Sequence, residues 1–367
     1  MKKCLIALAA AGVAGAPAIA QESPFAGQTL NVYNWSDYIA EDTIATFEEE
    51  FGVEVNYDVY DSNEVLEARL FAGNTGFDVV VPTSDFLRRQ IQAGIYQPLD
   101  KDQLPNLVHM DSELMANAAV YDPENEHAVI YMWGTTGIGY NVQAVEERLG
   151  ADAPTDSWSL VFDPENAAAL ADCGISFLDA PTEMLPAAMN YLGLDPRSTD
   201  TADFEAAAEL LESVRPHVRY FHSSQYITDL ANGDICVAVG WSGDVFQALY
   251  RAEEAENGVE IAYVIPEEGA LQWFDMLAIP ADAPNPELAH AFINFIMDPQ
   301  VTADITNYVW YANANETSLD LVDPEITSDP GIFPTEEASA RLWAAEVYDA
   351  RTDRVVNRLW TQIKTGQ

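Results

Sequence analysis

Seven short stretches of this chain set an aromatic ring within a few residues of a carboxylate or hydroxyl. They are NWSDY (34–38), VPTSDF (81–86), LDAPTE (178–183), FHSSQY (221–226), GWSGD (240–244), QWFD (272–275) and WYANAN (310–315). Ring faces attract a cation and cover methylene groups, while carboxylates accept hydrogen bonds from its N–H donors. An alkylammonium ligand is the chemistry this combination suits. Any one stretch is ordinarily a core aromatic beside a surface acid; seven of them, each near the end of a strand or in a loop, ask for a common cause.

Catalytic patterns do not supply it. The five histidines, His109, His127, His217, His222 and His290, form no HExxH or HxH pair. GWSGD departs from the GxSxG nucleophile elbow, GTTGIG (134–139) lacks the GxGxxG spacing of a dinucleotide site, and there is no P-loop. Acids are so numerous that some pair always mimics a glycosidase dyad, so an exported acid-dyad glycosidase stays only a remote alternative. No metal site and no cofactor is expected.

The compartment follows from the ends and the charge. Met1, Lys2 and Lys3 precede an Ala/Leu/Val run closing at Ala18-Ile19-Ala20, the form of a secretory leader over residues 1–20. Cys4 lacks a lipidation context, and no other apolar run approaches the roughly 18 residues of a membrane span. A soluble, exported protein of the periplasm is expected. The whole chain carries 16 Lys and Arg against 60 Asp and Glu, and loss of Lys2 and Lys3 takes the net charge from −44 to −46. Such a surface is a poor partner for nucleic acid or anionic membrane and concentrates cations. Cys173 and Cys236 remain, an even pair in an oxidising compartment that favours one disulfide, with two buried thiols as the alternative.

The elements that must position these side chains alternate. LNVYNW (30–35) reads as a strand; Ile44, Phe47 and Phe51 at helical spacing mark a helix over 41–51. A strand over 53–60, a helix over 63–71 and the apolar run FDVVVPT (77–83) continue the rhythm of βαβ units. About 347 mature residues exceed what one core holds, so two lobes are expected. The glycine-broken strand 128–141 and the segment 261–280 read as two crossings between them. In open α/β sheets ligands bind beyond the carboxyl ends of the strands, where the seven stretches fall.

The stretches from NVYNWSDYIAEDTIATFEEEFGVEVNYDVYDSNEVLEARLFAGNTGFDVVVP through YMWGTTGIGYN, SFLDAPTE and RYFHSSQYITDLANGDICVAVGWSGDV to YANAN resemble the periplasmic polyamine-binding proteins, the putrescine and spermidine receptors of ABC importers. The likeness covers essentially the whole mature chain. It implies an α/β, two-lobed periplasmic binding protein fold of type II, lobes joined by a hinge of crossing segments and closing on an extended polyamine. On this frame residues 27–134 and 268–300 form lobe 1, and 135–267 and 301–367 lobe 2. It also implies that Cys173 and Cys236 are bonded, that the chain is a monomer without catalysis, and that its partner is a membrane permease. A polyamine sensor or a receptor for another organic cation is the alternative.

Carried over residue by residue, the resemblance implies ligand contacts at Trp35, Ser36, Asp37, Tyr38, Thr83, Glu183, Ser223, Trp241, Asp244, Trp273, Asp275 and Tyr311. Trp35, Tyr38, Trp241, Trp273 and Tyr311 would box the methylenes; Asp37, Glu183, Asp244 and Asp275 would meet the ammonium groups. Asp85, where such proteins often carry Ser or Tyr, would make the rim more acidic. Trp273 and the four carboxylates together predict a preference for spermidine over putrescine.

Overall fold

The computed structural model describes residues 23–366; the expected leader and Cys4 lie outside them. Its strands are β1 (Thr29–Trp35), β2 (Glu54–Tyr60), β3 (Val79–Val80), β4 (Ala128–Asn141), β5 (Ile175–Phe177), β6 (Val218–Phe221), β7 (Val237–Trp241), β8 (Ile261–Val264), β9 (Ala270–Ala278), β10 (Ala312–Asn313) and β11 (Leu342–Ala344). They form one continuous sheet in the order β2-β1-β3-β9-β4-β7-β5-β6, with β8 and β10 on β4 and β11 on β9. β1 runs parallel to β2 and β3, and β5 parallel to β6 and β7, as βαβ units require. Helices Thr43–Phe51 and Asn63–Ala72 fall where the apolar spacing placed them.

The run 77–83 yields a strand of only two residues, Val79 and Val80. The carbonyl of Val81 is taken instead by two side chains, the Trp35 indole N–H at 2.9 Å and the Tyr60 hydroxyl at 2.5 Å. Pro82 then offers no donor, and the chain turns into helix Ser84–Gln92.

Two separate hydrophobic cores divide the sheet. The first gathers Leu30, Val32, Phe47, Val79, Met276, Phe292 and Ile305; the second gathers Val145, Trp158, Phe177, Leu185, Phe204, Val239 and Trp360. β4 serves both: Ala128 to Thr136 pair with β9, and Thr136 to Tyr140 pair with β7. The chain passes a second time between Ile261 and Leu271, and a third time between Trp343 and Tyr348. That third passage corrects the expected division. Residues 301–343, assigned from the sequence to lobe 2, send Ile305, Val309, Tyr311, Ile326, Ile332 and Trp343 into the first core, and only the final helix, Ala350–Thr365, packs in the second. At the crossing in β4, a side chain at Gly137 would run into the Val264 carbonyl and the Tyr263 ring, so the strand passes there only without one.

Cys173 and Cys236 are bonded, with Cα atoms 5.5 Å apart, beside the paired starts of β5 and β7. The bond closes a long loop, and its reduction should lower unfolding stability by about 2–4 kcal/mol. Guanidinium unfolding with and without reductant measures this; an unchanged midpoint would contradict it.

Candidate ligand-binding site

Four strand ends and the helices that follow them converge between the two cores. β1 ends at Trp35, whose ring packs 4.8 Å from Tyr60 and edge-on to Trp241 at 5.4 Å. The chain then turns through Ser36 and Asp37, the latter at a positive φ of 56°, and delivers Tyr38 to the interior. β3 leads to Thr83, the residue capping helix Ser84–Gln92. β7 leads to Trp241 and helix Ser242–Glu254, which carries Asp244 in its first turn; β5 leads to helix Pro181–Tyr191, with Glu183 in its first turn. A carboxylate at a helix N-terminus faces unsatisfied N–H groups and the positive end of the dipole, which favours its charged form.

Hydroxyls hold the two buried aspartates. Asp275 of β9 accepts from Thr83 Oγ1 at 2.7 Å and from the Tyr38 hydroxyl at 2.9 Å. Asp244 accepts from the Tyr226 hydroxyl at 2.7 Å and the Tyr311 hydroxyl at 2.6 Å, while its own N–H donates to Tyr311. Tyr38 and Tyr311 meet edge to face at 4.9 Å, so an unbroken polar and aromatic chain links one aspartate to the other. Burial pushes the Asp275 carboxyl up to about 7 and the Asp244 carboxyl up to about 6, against the hydroxyl donors that favour ionisation. Glu183 accepts from the Trp241 indole at 3.0 Å and from the Thr136 hydroxyl, and desolvation raises its pKa as well.

Between these groups lies a cavity lined by Trp35, Ser36, Tyr38, Asp61, Thr83, Glu183, Ser223, Trp241, Asp244, Trp273, Asp275 and Tyr311. Trp273 stands 5.6 Å from Tyr311, and its buried indole N–H has no partner. The structure thus brings together eleven residues singled out from the sequence and adds Asp61, which the sequence reading passed over. Its signal was available: Asp61 follows Tyr60 at the carboxyl end of β2, the same aromatic and acid pairing as the seven stretches.

Two expected positions differ. Asp37 does not line the cavity; its Oδ1 accepts from Arg251 at 2.8 Å, on the partly exposed rim. Its left-handed backbone carries the side chain away from Tyr38 and toward helix Ser242–Glu254. Asp85 lies beside the cavity rather than in it, in a small side chamber shared with Asn63, Thr83, Glu183 and Trp273. Burial pushes its carboxyl up to about 6.

Gly243 sets the position of Tyr311, because a Cβ there would overlap the tyrosine ring. Gly243→Ala should move that ring and its hydroxyl off Asp244, an overpacking cost of roughly 1–3 kcal/mol that titration would read as weakened ligand binding. Affinity equal to that of the unaltered protein would show the ring free to yield.

Among the described residues no group of histidine, cysteine and acidic side chains could hold a metal ion, and no helix is long and apolar enough to cross a membrane. Residues 42–335 match the model of the bacterial extracellular solute-binding proteins. The chain is 54% identical over 341 residues to the putrescine-binding periplasmic protein PotF of Escherichia coli K12, covering 93% of this chain and 92% of that one. It is 53% identical to the putrescine-binding periplasmic protein SpuD of Pseudomonas aeruginosa UCBPP-PA14, over 100% of this chain and 98% of that one. Among solved structures, the spermidine/putrescine ABC transporter substrate-binding protein PotD of Streptococcus pneumoniae superposes with a TM-score of 0.75 at 27% identity, covering 92% of this chain and 99% of that one. The two-lobed α/β architecture is common to both.

Proposed function

We propose, on the premise that this chain belongs to the bacterial extracellular solute-binding protein family, that it is a periplasmic receptor capturing putrescine and delivering it to the permease of an ABC importer. The observation that carries this reading is the pair Asp244 and Asp275, each buried, each oriented by two hydroxyls, and joined by the edge-to-face rings of Tyr38 and Tyr311. A diamine presents one ammonium to each carboxylate and its methylenes to the rings between them. Binding energy then stabilises the closed arrangement of the two lobes, which is what a permease can recognise. The expected leader at 1–20 fits delivery to the periplasm.

Spermidine is the second reading, favoured by the side chamber in which Asp85 and Glu183 flank Trp273. Two observations weigh against it as the preferred ligand. Asp37, counted among the carboxylates that would need a third ammonium, is neutralised by Arg251. Two relatives more than half identical to this chain are named for putrescine. Calorimetric titration of refolded, ligand-free protein with putrescine, cadaverine, spermidine and spermine tests the reading. Putrescine should bind with the highest affinity; spermidine tighter by about tenfold, or 1.4 kcal/mol, would reverse the preference.

A further inference from the structure

The enclosed cavity is not isolated. Its wall at Trp35, Trp241, Glu183 and Ser223 continues past a narrow constriction to Ser62, Glu64 and Asp179. Beyond the constriction lies an outer cavity, open to solvent and floored by Pro181, Phe221 and Trp360. Asp61 and Ser223 line both the enclosed and the outer cavity, so the three spaces share walls from end to end.

The outer cavity already holds an alkylammonium, one that belongs to the chain. Lys364, in the last turn of helix Ala350–Thr365, places its Nζ 2.8 Å from both carboxylate oxygens of Asp179. The Trp360 indole N–H donates to the same carboxylate at 2.7 Å, and the Trp360 ring meets Phe221 edge to face at 5.3 Å. A lysine side chain is chemically a butylammonium, the unit that ends putrescine. Its seat here has the parts of the enclosed site: a carboxylate fixed by a neutral donor, aromatic walls, and two acids more than are matched. Asp61 and Glu64 line the cavity with Asp179, against the single ammonium of Lys364.

We propose that the outer cavity is a second alkylammonium subsite, reached across the shared wall of Asp61 and Ser223 by the free arm of a polyamine longer than a diamine, and that Lys364 competes for it as a built-in occupant. Resting on the polyamine reading above, the assignment gives Lys364 a role in ligand length. While its ammonium sits on Asp179, a long polyamine finds only Asp61 and Glu64 outside; a diamine, contained in the inner cavity, is indifferent to it.

Lys364→Met frees Asp179, and Glu64→Gln removes an outer carboxylate that does not line the enclosed cavity. Titrating both variants and the unaltered protein with putrescine and with spermine reads the two sites separately. Lys364→Met should raise spermine affinity by about threefold and Glu64→Gln lower it by about threefold, the scale of one partly exposed ion pair, with putrescine affinity unchanged in each. A constant ratio of spermine to putrescine affinity in both variants overturns the outer subsite while leaving the putrescine reading standing. So does a spermine affinity that responds to Asp85→Asn alone, which would send the free arm into the side chamber. Should Lys364→Met unfold, as its thermal transition would reveal, Glu64→Gln decides by itself. If putrescine does not bind the unaltered protein, the proposed function falls and the outer subsite falls with it.

Discussion

Asp275→Asn and Asp244→Asn should each cost ligand affinity roughly 2–5 kcal/mol, because each leaves an ammonium in a desolvated pocket without its counter-charge. The asparagine keeps the shape, and its amide oxygen can still accept one of the hydroxyl bonds now made by Thr83 and Tyr38, or by Tyr226 and Tyr311. Loss of fold is therefore a small part of the effect. The ligand-free variants should even gain stability, since a buried carboxyl whose ionisation is opposed by burial has become a neutral amide. Calorimetry on refolded protein reads the affinity and thermal unfolding the stability. Unchanged affinity in both variants would remove the assignment of these residues as the ammonium partners.

Polyamine binding should release protons and strengthen as pH rises from about 5 to about 8. Without ligand, burial holds the Asp275 carboxyl up at about 7 and that of Asp244 up at about 6. An ammonium pairs with the carboxylate, so below these values binding must first expel a proton from each. Above them no proton is lost and affinity levels off. Two units below its own value a single site costs about a hundredfold, so the fall toward pH 5 should be large. Titration in buffers of different ionisation enthalpy counts the released protons; a heat independent of buffer at pH 6 would contradict the prediction. Stability of the empty protein runs the other way. Both carboxyls sit above the ordinary aspartate value near 3.9, so the folded state binds more protons than the unfolded chain between about pH 4 and 7. Their contribution is fully present below about pH 4 and is lost as pH rises through about 6 and 7. Saturating ligand should reverse this slope.

The site was legible in the sequence to the extent that its parts are local. A ring and an acid a few residues apart at the end of a strand must emerge at the same edge of the sheet, and the patches at Trp35, Trp241, Trp273 and Tyr311 do meet. What the stretches could not reveal is set by partners distant in the chain. Asp37 and Arg251 are far apart in sequence, and nothing near Asp37 announces either its left-handed φ or the guanidinium that claims it. Lobe membership is non-local in the same sense. Helix Pro299–Val309 has an apolar face that either core would bury; only the late crossing after Trp343 decides that it joins the first. The alternation of strands and helices needed only side-chain periodicity, which is why it survived with boundaries shifted by a residue or two, except in the run 77–83, where only Val79 and Val80 pair.

The bond between Tyr311 and Asp244 bears on time rather than on affinity. Tyr311 packs in the first core, while the helix that begins beside Asp244 sends Val245, Ala248 and Ala252 into the second. The hydroxyl and the carboxylate therefore fasten one lobe to the other at the wall of the ligand cavity, and the lobes cannot part there without breaking that contact. Under the proposed function, a ligand that enters with the lobes parted does not meet this bond, whereas one that leaves waits for it to yield. A clasp of this kind lengthens the residence of a captured molecule without slowing its capture.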